Sequence, residues 1–424
     1  RRQRQMCIRD SHLTEYEGDG TMKYETIRFG DLYTIPSRNG LSKPSKVRGS
    51  GYKMINMGEL FSNDRIYDIQ MELVPLKDNE KINAKIEKGD LLFARQSLVL
   101  EGAGKCIIVM ETSPLTVFES HLIRVRLIED ANPMFYYYYF RSPLSPVKTI
   151  VSQCAQAGIR GSDLQELQVL NLPRYKQDKI ANILSAYDDL IENNQKQIKL
   201  LEEAAQRLYK EWFVDLHFPG YEDTEIIDGV PEGWSKRCVS DFGEVITGKT
   251  PSTAKTEYYG GNIPFVTIPD MHGQVFPLTT EKALTKAGAD TQKGKYLPKN
   301  TVIVSCIATV GLVNIATETC QTNQQINSVI LTKERDLYFF YESMKRIKAL
   351  LDGVGSNGAT MTNVNKTKFS NIKVLYPTEE LVTSYYDFCL PIFDKILNLS
   401  VAMQDAQQSR DRLLPKLMSG ELEV

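Results

Sequence analysis

Apolar residues recur at alternating spacings of three and four over a long stretch in the middle of the chain, residues 174–218. Charged and amide side chains fill the positions between them for more than four heptads, which is typical of a coiled-coil helix. One polar residue, Asn194, stands on this seam, at a kind of position that fixes register or partner choice. The seam positions are Ile180, Leu184, Tyr187, Ile191, Asn194, Ile198, Leu201, Ala205, Leu208 and Trp212.

The same spacing returns near the C-terminus, about half a chain later. All of its positions are apolar except Arg410, and Leu399 stands where the first copy has Asn194. A seam that occurs twice predicts an internal repeat whose two long helices pair antiparallel, with Pro415 kinking or fraying the last turn. The second seam comprises Tyr385, Cys389, Ile392, Ile396, Leu399, Met403, Ala406, Arg410, Leu413 and Leu417.

Two further stretches, residues 22–173 and 235–376, have the mixed patterns of α/β (α+β) domains. The second repeats features of the first: Phe29-Gly-Asp-Leu corresponds to Phe242-Gly-Glu-Val. The predicted order is domain, helix (174–218), linker (219–234), domain, helix (377–424), after a first segment, 1–21, expected to be an artefact or a disordered tail. The expected strands are 86–94, 106–110, 121–127, 301–306, 312–316 and 326–331, with a short helix over 134–141.

The composition of the chain mainly excludes certain classes of protein. The chain of 424 residues has 42% hydrophobic and 25% charged residues, as ordinary globular proteins do. No apolar run reaches the length of a membrane span and no signal peptide pattern is present, so we expect a cytoplasmic protein that does not contact membranes. The seven cysteines form no CxxC pair, and we expect free thiols and no metal site. A net charge of −2 argues against non-specific binding to nucleic acid, although not against base reading.

Two sequence motifs resemble catalytic sites without their context. Residues 243–250 (GEVITGKT) fit the phosphate-binding pattern GxxxxGK[ST], but β-branched residues fill the loop and Pro251 follows where a helix should begin. Residues 262–265 (NIPF) are similar to the motif with which amino-methyltransferases hold a flipped base, but no glycine-rich cofactor loop precedes them. We therefore expect no active site in this chain.

The order of elements, the repeat and several short motifs together resemble the specificity subunits of type I restriction–modification systems. The motifs are 205–214 (AQRLYKEWFV), 248–252 (GKTPS), 259–270 (YGGNIPFVTIPD), 303–311 (IVSCIATVG), 322–326 (TNQQI) and 413–422 (LLPKLMSGEL). This resemblance implies two target-recognition domains, each reading one half of a bipartite double-stranded DNA site. It also implies that the helices dock two adenine-N6 methyltransferase subunits, with restriction subunits outside. No cofactor is implied in this chain, since S-adenosylmethionine and ATP belong to the partner subunits.

Base edges are read mainly by Arg, Lys, Asn and Gln, and by Ser, Thr and aromatic side chains. The loops that are rich in these residues supply the candidates, and the alternative for each is a solvated side chain or a phosphate contact. In the first domain they are Arg38, Asn39, Lys43, Lys46, Arg48, Arg95, Gln96, Ser97, Arg160 and Ser162. In the second they are Lys249, Thr250, Ser252, Lys255, Tyr258, Tyr259, His272, Asn323, Gln324, Gln325, Asn357 and Thr360.

The helices carry the candidates for subunit docking. These are the seam residues themselves and the aromatic cluster Tyr209, Trp212 and Phe213, although packing at the end of the helix is an alternative role for Trp212. A helix over residues 179–213 is roughly 52 Å long and spans at most roughly 15 base pairs. The chain is thus expected to measure a distance between two short binding sites. The alternative is a scaffold whose end domains bind proteins and read no bases.

Overall fold

The computed structural model describes residues 15–16, 22–153, 157–347, 349 and 363–424 of the chain. It divides into two compact units, one formed by Arg1–Leu190 with Ala406–Val424 and the other by Ile191–Asp405. Each unit therefore includes one domain and parts of both long helices. The candidates Asn357 and Thr360 lie outside the described residues.

The first unit is built mainly of short strands. They are β1 (Glu15–Tyr16), β2 (Met22–Lys23), β3 (Thr26–Arg28), β4 (Tyr33–Asn39), β5 (Tyr52–Ile55), β6 (Arg65–Ile66), β7 (Glu72–Val74), β8 (Leu91–Ala94), β9 (Gln96–Ser97), β10 (Cys106–Val109), β11 (Thr116–Phe118), β12 (Leu122–Leu127), β13 (Ser152–Gln153), β14 (Ala157–Gly158) and β15 (Gln168–Leu170). Its helices are α1 (Met57–Ser62), α2 (Asp78–Asn83), α3 (Pro133–Arg141), α4 (Gly161–Gln165) and α5 (Arg174–Phe213), the last of which continues into the second unit.

The second unit repeats this arrangement. Its strands are β16 (Ile226–Ile227), β17 (Val230–Pro231), β18 (Ser235–Cys238), β19 (Gly243–Thr247), β20 (Tyr259–Val266), β21 (Lys282–Leu284), β22 (Val302–Ser305), β23 (Val313–Ile315), β24 (Gln321–Thr322), β25 (Ile326–Leu331) and β26 (Lys373–Tyr376). Its helices include α6 (Lys286–Asp290), α7 (Leu337–Lys345), α8 (Lys366–Ser370) and α9 (Glu379–Ser419).

Equivalent strands pair in the same order in both domains, which confirms the predicted repeat. The main sheet has the order β4-β12-β8-β10-β6 in the first and β19-β25-β22-β23 in the second. A smaller sheet has β11-β5-β7 in the first and β24-β20-β21 in the second, with β11 and β24 each parallel to their neighbours. The predicted fold class, α/β (α+β) with two domains and two long helices, is also confirmed.

The predicted strands are all present, although several are shorter than expected. Strand β8 begins at Leu91 rather than at residue 86, because the Asp90 carboxylate accepts a hydrogen bond from the Glu87 amide and forms a turn. The short helix predicted over 134–141 begins one residue earlier, at Pro133. Asn132 caps it by accepting from the Met134 amide at 2.8 Å, a start signal in the sequence that the prediction had not used.

The short aromatic helices α3 and α7 place each domain's core against the long helices. In the first unit the amide of Asn132, the cap of α3, donates to the Gln177 side chain of α5 at 2.8 Å. In the second unit the α7 hydroxyl of Ser343 is 2.9 Å from that of Tyr209 on α5. Burial of an aromatic helix face against a seam supplies much of the apolar stabilisation of such a unit.

Helices α5 and α9 run 40 and 41 residues, and every seam position of both is buried or half-buried. Helix α9 continues past Pro415 to Ser419, so the expectation that this proline frays the last turn was wrong. Asn194 is buried, with 3% of its surface exposed. Within the described part of the chain, neither of these helices nor any other combines the length and apolar character needed to cross a membrane.

The two long helices meet in each unit. In the first, the Arg410 side chain donates to the Asp188 carboxylate at 2.5 Å, and the Tyr138 hydroxyl donates to the other oxygen at 2.6 Å. Burial, followed by the charge of Asp188, raises the pKa of Tyr138. In the second, the Tyr385 hydroxyl donates to the Ala205 carbonyl at 3.0 Å. Later residues of α9 thus contact earlier residues of α5, as antiparallel pairing requires.

Replacing Arg410 by Ala is expected to lower the free energy of unfolding by roughly 2–3 kcal/mol, below the roughly 3–5 kcal/mol of a fully buried pair. The reason is that Asp188 is left buried with a single donor, Tyr138, while a fifth of the Arg410 side chain is exposed. Urea denaturation measures the change. Arg412→Ala, at an exposed position of the same helix, is the matched control and should be nearly neutral. Equal effects of the two substitutions would contradict the role of Asp188.

A second prediction concerns Glu342 of α7, which is 1% exposed. Burial raises its pKa to about 7, against an opposing effect of Lys345, whose ammonium lies 3.7 Å away, and a further rise from Glu202. Because the folded pKa is above the unfolded value, the protonated carboxyl contributes stability below the unfolded pKa, and this is lost as pH rises through about 7.

The melting temperature of the wild-type chain should therefore fall more steeply between pH 5 and 8 than that of Glu342→Gln, as judged by circular dichroism at fixed ionic strength. Glu211→Gln, at an exposed position of α5, is the control and should keep the wild-type slope. A Glu342→Gln variant with the same slope as wild type would show that this carboxyl does not titrate with folding.

Candidate nucleic-acid interface

In the first domain a glycine brings two loops into direct contact. The Gly40 amide donates to the Leu122 carbonyl at 3.3 Å, and the next amide, of Leu41, donates to the Phe118 carbonyl at 2.8 Å. A Cβ atom on Gly40 would lie 2.1 Å from the Phe118 oxygen, so only glycine fits. The loop after β4 is thereby held against the loop between β11 and β12.

The second domain makes the same contact with different residues. The Gly248 amide donates to the Ile326 carbonyl at 3.1 Å, and the Lys249 amide donates to the Thr322 carbonyl at 2.9 Å. A Cβ atom on Gly248 would lie 2.2 Å from the Asn323 oxygen. Gly248 is therefore the structural equivalent of Gly40, and the loop after β19 lies against the loop between β24 and β25.

Two further segments join the first two loops in each domain, again through main-chain hydrogen bonds. The Arg95 amide donates to the His121 carbonyl at 2.7 Å, and the Ile159 amide donates to the Arg95 carbonyl at 2.9 Å. The corresponding bonds in the second domain run from Cys306 to Gln325 at 2.9 Å and from Val364 to Cys306 at 2.8 Å. Each domain thus gathers four segments of chain at one end of its main sheet.

Several candidates of the first domain belong to this gathered set. Gln96 and Ser97 form β9, which pairs with β14 immediately before Arg160. Arg160 is exposed and precedes α4, where Gly161 lies near the Ser37 hydroxyl. Ser97 is largely buried and its hydroxyl accepts from the Val99 amide, so it supports the loop rather than facing solvent. The exposed Ser162 hydroxyl donates to Asp163.

Strand β4 adds positive charge beside this set. Arg38 and Asn39 are exposed at its end, and Arg38 pairs in register with Arg124 of β12. Burial lowers the pKa of Arg124, while nearby Asp90 opposes the shift and the charges of Arg126 and Arg38 add to it. Arg124 is 5% exposed and donates to the Lys85 carbonyl at 2.8 Å, so Arg38 is the arginine of this pair that is placed to contact phosphate.

Three basic candidates of the first domain lie elsewhere or are already occupied. The Lys43 ammonium donates to both oxygens of Glu80, at 2.8 and 3.0 Å, and only 11% of its side chain is exposed. Arg48 donates to Glu72 at 2.7 Å and to the Lys43 carbonyl at 2.8 Å. Lys43 and Arg48 therefore hold the 40–48 loop against α2 and β7. Lys46 is exposed within the same loop and faces solvent.

In the second domain the gathered loops bring candidates within hydrogen-bonding distance of each other. The Thr250 hydroxyl donates to the Gln324 side chain at 2.6 Å, and the Asn323 amide group donates to the Gln325 side chain at 3.1 Å. Gln324 is exposed, as are Lys249 and Ser252. Amide side chains held in such a surface network present paired donors and acceptors to a ligand.

The segment before β20 extends this surface. The Lys255 ammonium donates to the Tyr258 hydroxyl at 3.1 Å, and that interaction raises the pKa of Lys255. The Tyr259 hydroxyl donates to the Pro251 carbonyl at 2.8 Å. The buried side chain of Gln292 supports the same loop from below by donating to the Lys249 carbonyl at 2.7 Å. Gln292 was not among the predicted residues, because no local feature of a sequence marks a buried amide.

His272 occupies a different place. It is exposed on the turn after a short 3-10 helix, Ile268–Met271, which is capped by Thr267 and Asp270. The equivalent cap in the first domain is Asn56 with Glu59 of α1, so counting along the chain makes Phe61 the equivalent of His272.

The repeat also identifies positions that the sequence reasoning had missed. Counting back from the Gly40 and Gly248 contacts, Glu119, Ser120 and His121 occupy the places of Asn323, Gln324 and Gln325. In the second domain, Asn363 and Asn365 occupy the places of Gly158 and Arg160. Sequence identity between the two domains is low, so these equivalent residues could be matched only after the strands were aligned by their register.

The aromatic docking candidates must be corrected. Tyr209 and Phe213 are each only 6% exposed and pack in the core of the second unit, with Phe213 5.0 Å from the Phe339 ring. Trp212 is half-buried, with its ring 6.2 Å from that of Tyr385. A docking role would require these rings to be exposed, but tertiary packing against α7 and α9 buries Tyr209 and Phe213. For Trp212 the contact with Tyr385 agrees with the alternative role, packing at the end of the helix.

The resemblance to a phosphate-binding loop does not extend to the structure. Residues 243–247 form β19, paired antiparallel with β25, and the chain from Gly248 to Lys255 is loop rather than helix. Among the described residues, no group of three His, Cys, Asp or Glu side chains is placed to hold a metal. Burial raises the pKa of the Cys306 thiol to about 11.

Replacing Gly248 by Ala is expected to destabilise the second domain by roughly 1–3 kcal/mol, because the added methyl group must displace the backbone of 322–323. Chemical denaturation measures this cost. Gly294→Ala in the same domain, where no atom lies within 4 Å of the new methyl, is the control. If both variants unfolded alike, the close contact between the two loops would be disproved.

Comparison with known proteins gives a consistent result. A family model described as the type I restriction modification DNA specificity domain matches residues 22–203 and 231–381. The specificity subunit of the type I restriction enzyme HindI from Haemophilus influenzae is 34% identical over 315 residues, 60% of this chain and 69% of that protein. The MjaIX specificity subunit from Methanocaldococcus jannaschii is 26% identical over 302 residues, 68% of this chain and 69% of that protein.

A solved structure resembles the whole chain. The crystal structure of a type I restriction–modification S subunit from M. genitalium superposes with a TM-score of 0.60, covering 95% of this chain and 98% of that one. Sequence identity is 14%, so this likeness concerns the fold.

Proposed function

The chain belongs to the family of type I restriction modification DNA specificity domains, and from that premise we propose that each of its domains reads one half of a split DNA site. Type I specificity subunits are the non-catalytic members of their systems, so this chain is not an enzyme. The target is double-stranded DNA, and the chemistry on it belongs to partner subunits.

One observation carries the proposal: the same main-chain contacts gather the same loops in both domains, but the side chains on those loops differ. At equivalent places stand Gln324 and Ser120, and Asn365 and Arg160. Equal frames with unlike polar side chains are what two readers of different base sequences require. A scaffold that binds two copies of one protein would instead present like surfaces.

Within the first domain we assign base contacts to Arg95, Gln96 and Arg160, with phosphate contacts from Arg38 and Lys46. Arg160, Arg38 and Lys46 are exposed, and the half-buried Arg95 and Gln96 lie on the gathered loops. The ion pairs of Lys43 and Arg48 argue against a direct role for these two residues. In the second domain, Thr250 and Asn323 to Gln325 are the corresponding base readers. Lys249, Ser252, Lys255 and Tyr258 flank them.

Two methyltransferase subunits are proposed to dock on the long helices. Because the seam faces the partner helix, docking requires apolar residues on the outer faces. Ile183 and Leu190 of α5 satisfy this, since they are 36% and 45% exposed and stand one heptad apart. Restriction subunits would join outside them, and S-adenosylmethionine and ATP would be bound by these partners. Cytoplasmic location remains a prediction.

The helices also supply a fixed distance. A helix of 40 residues, as α5 is, extends roughly 60 Å. Such an element is suited to set the spacer of a split site, since its length does not depend on which bases the domains read.

The test is sequencing of N6-methyladenine in a host that expresses this chain with its methyltransferase subunit. We expect modified adenines in a split motif with one spacer length. Gln324→Ala should relax one half of the motif and Arg160→Ala the other, because each lies in a different domain. Gln206→Ala, at an exposed position of α5, should leave both halves unchanged.

Absence of any split motif would overturn the proposal and favour the scaffold. A single substitution that altered both halves would show that the domains do not read independently.

A further inference from the structure

The first domain differs from the second in the connection between two equivalent strands, β8 to β10 and β22 to β23. The connection is closed by a hydrogen bond from Gly104 to Ala94 in the first domain and from Gly311 to Ser305 in the second. The first connection is therefore longer, and it contains Leu98, Val99 and Leu100.

Three consecutive residues of this longer connection are apolar and exposed to solvent. Leu98 is 90% exposed, Val99 59% and Leu100 47%, and Phe61, which is 42% exposed, lies beside them. We call Phe61 and Leu98 to Leu100 the apolar tip. Single exposed apolar residues are common, but a contiguous group on one loop usually marks a surface that another molecule covers.

The loop that carries the tip is held by internal hydrogen bonds. The Val99 amide donates to the Ser97 hydroxyl at 3.2 Å, and the Gly102 amide donates to the Val99 carbonyl at 3.2 Å. A Cβ atom on Gly102 would lie 2.3 Å from that hydroxyl and 3.2 Å from the Phe61 ring, so the loop folds tightly against α1. The apolar side chains thus project from a fixed backbone.

The position of the apolar tip indicates the occupant. Leu98 follows β9 directly, and β9 pairs with β14 just before the exposed Arg160. The Lys105 ammonium lies 5.7 Å from the centre of the Phe61 ring. Lys105 is itself ion-paired with Asp64 at 3.2 Å and supplies no free charge here. An apolar group that directly follows the strand of the candidate reader Gln96 complements DNA bases, which are apolar on their faces.

The equivalent place in the second domain is polar. His272 stands where the first domain has Phe61, and the shorter connection there exposes Ala308 and Thr309. The difference between the domains therefore lies at the proposed reading surface, where a change of base preference would require it.

We propose that the apolar tip contacts the bases of the half-site read by the first domain. This inference rests on the proposed function. Apolar side chains contact DNA bases in two ways, against the C5 methyl group of thymine or inserted between neighbouring base pairs. An adenine methyltransferase site always contains an A·T pair, so a thymine methyl group is present in each half-site.

The test uses the complex of this chain with its methyltransferase subunits and a duplex that carries the split site defined by adenine methylation. Leu98→Ser combined with Val99→Ser should weaken binding of this duplex about tenfold to a hundredfold, as measured by fluorescence anisotropy, because it removes apolar contact with bases. Binding of a duplex without the site should be unchanged.

Two modified duplexes separate the modes of contact. Deoxyuridine in place of each thymine of the first half-site should weaken wild-type binding if the tip touches methyl groups. 2-Aminopurine in the same half-site should become brighter on wild-type binding if the tip separates base pairs. Either response supports the proposal when the double variant lacks it.

The matched control is Ile82→Ser, which changes another exposed apolar residue of the same domain, on α2, and should bind like wild type. Wild-type affinity in the double variant overturns the proposal while leaving the proposed function intact. A double variant that no longer assembles with the methyltransferase subunits also overturns it, because the tip would then be a protein-docking surface. If wild type methylates no split site, the proposed function itself has failed.

Discussion

The structure depends on main-chain hydrogen bonds that hold the recognition loops to the sheet ends. Gly40 and Gly248 allow a backbone approach that no side chain permits, and the bonds made by Arg95 and Cys306 use only amide and carbonyl groups. Every residue except proline can donate and accept such bonds. The loops are therefore held in place largely by their backbones, and most of their side chains remain free to serve recognition. The ion pairs of Lys43 and Arg48 show the opposite case, in which a side chain is used to brace its loop and is lost to the ligand.

The two units join their domains to the long helices by different means. In the first, Asp188 is shared between Tyr138 and Arg410, so a charged group at the seam is matched by partners from α3 and α9. In the second, the joint is aromatic, with Tyr209, Phe213 and Tyr385 packed around Phe339 and its neighbours. Ionic and aromatic joints respond differently to their surroundings, because salt screens the first far more than the second.

Periodicity in the sequence was sufficient to predict the long helices, the repeat and most core strands, because each depends on local spacing of apolar residues. The sites were harder to predict. Polar loops such as 323–325 could be chosen by composition, but the ion pair of Lys43 depends on Glu80 and the burial of Phe213 depends on α7, both distant in sequence. The tip at Leu98 was missed for a related reason: an apolar run next to a strand is indistinguishable from core until its exposure is known.

The glycine contacts have a consequence for how such a protein changes over generations. Since Gly40 and Gly248 anchor loops that are held largely through their backbones, substitution of exposed side chains on those loops is expected to change the free energy of unfolding little, whereas Lys43 and Arg48 brace their loop through ion pairs. The β8–β10 connection is longer than the β22–β23 connection, although both are closed by main-chain hydrogen bonds, at Gly104 and Gly311. Under the proposed function, a lineage can thus acquire a new DNA target through mutations of exposed loop residues without passing through an unstable intermediate. The main-chain contacts then allow specificity to change while the fold is retained.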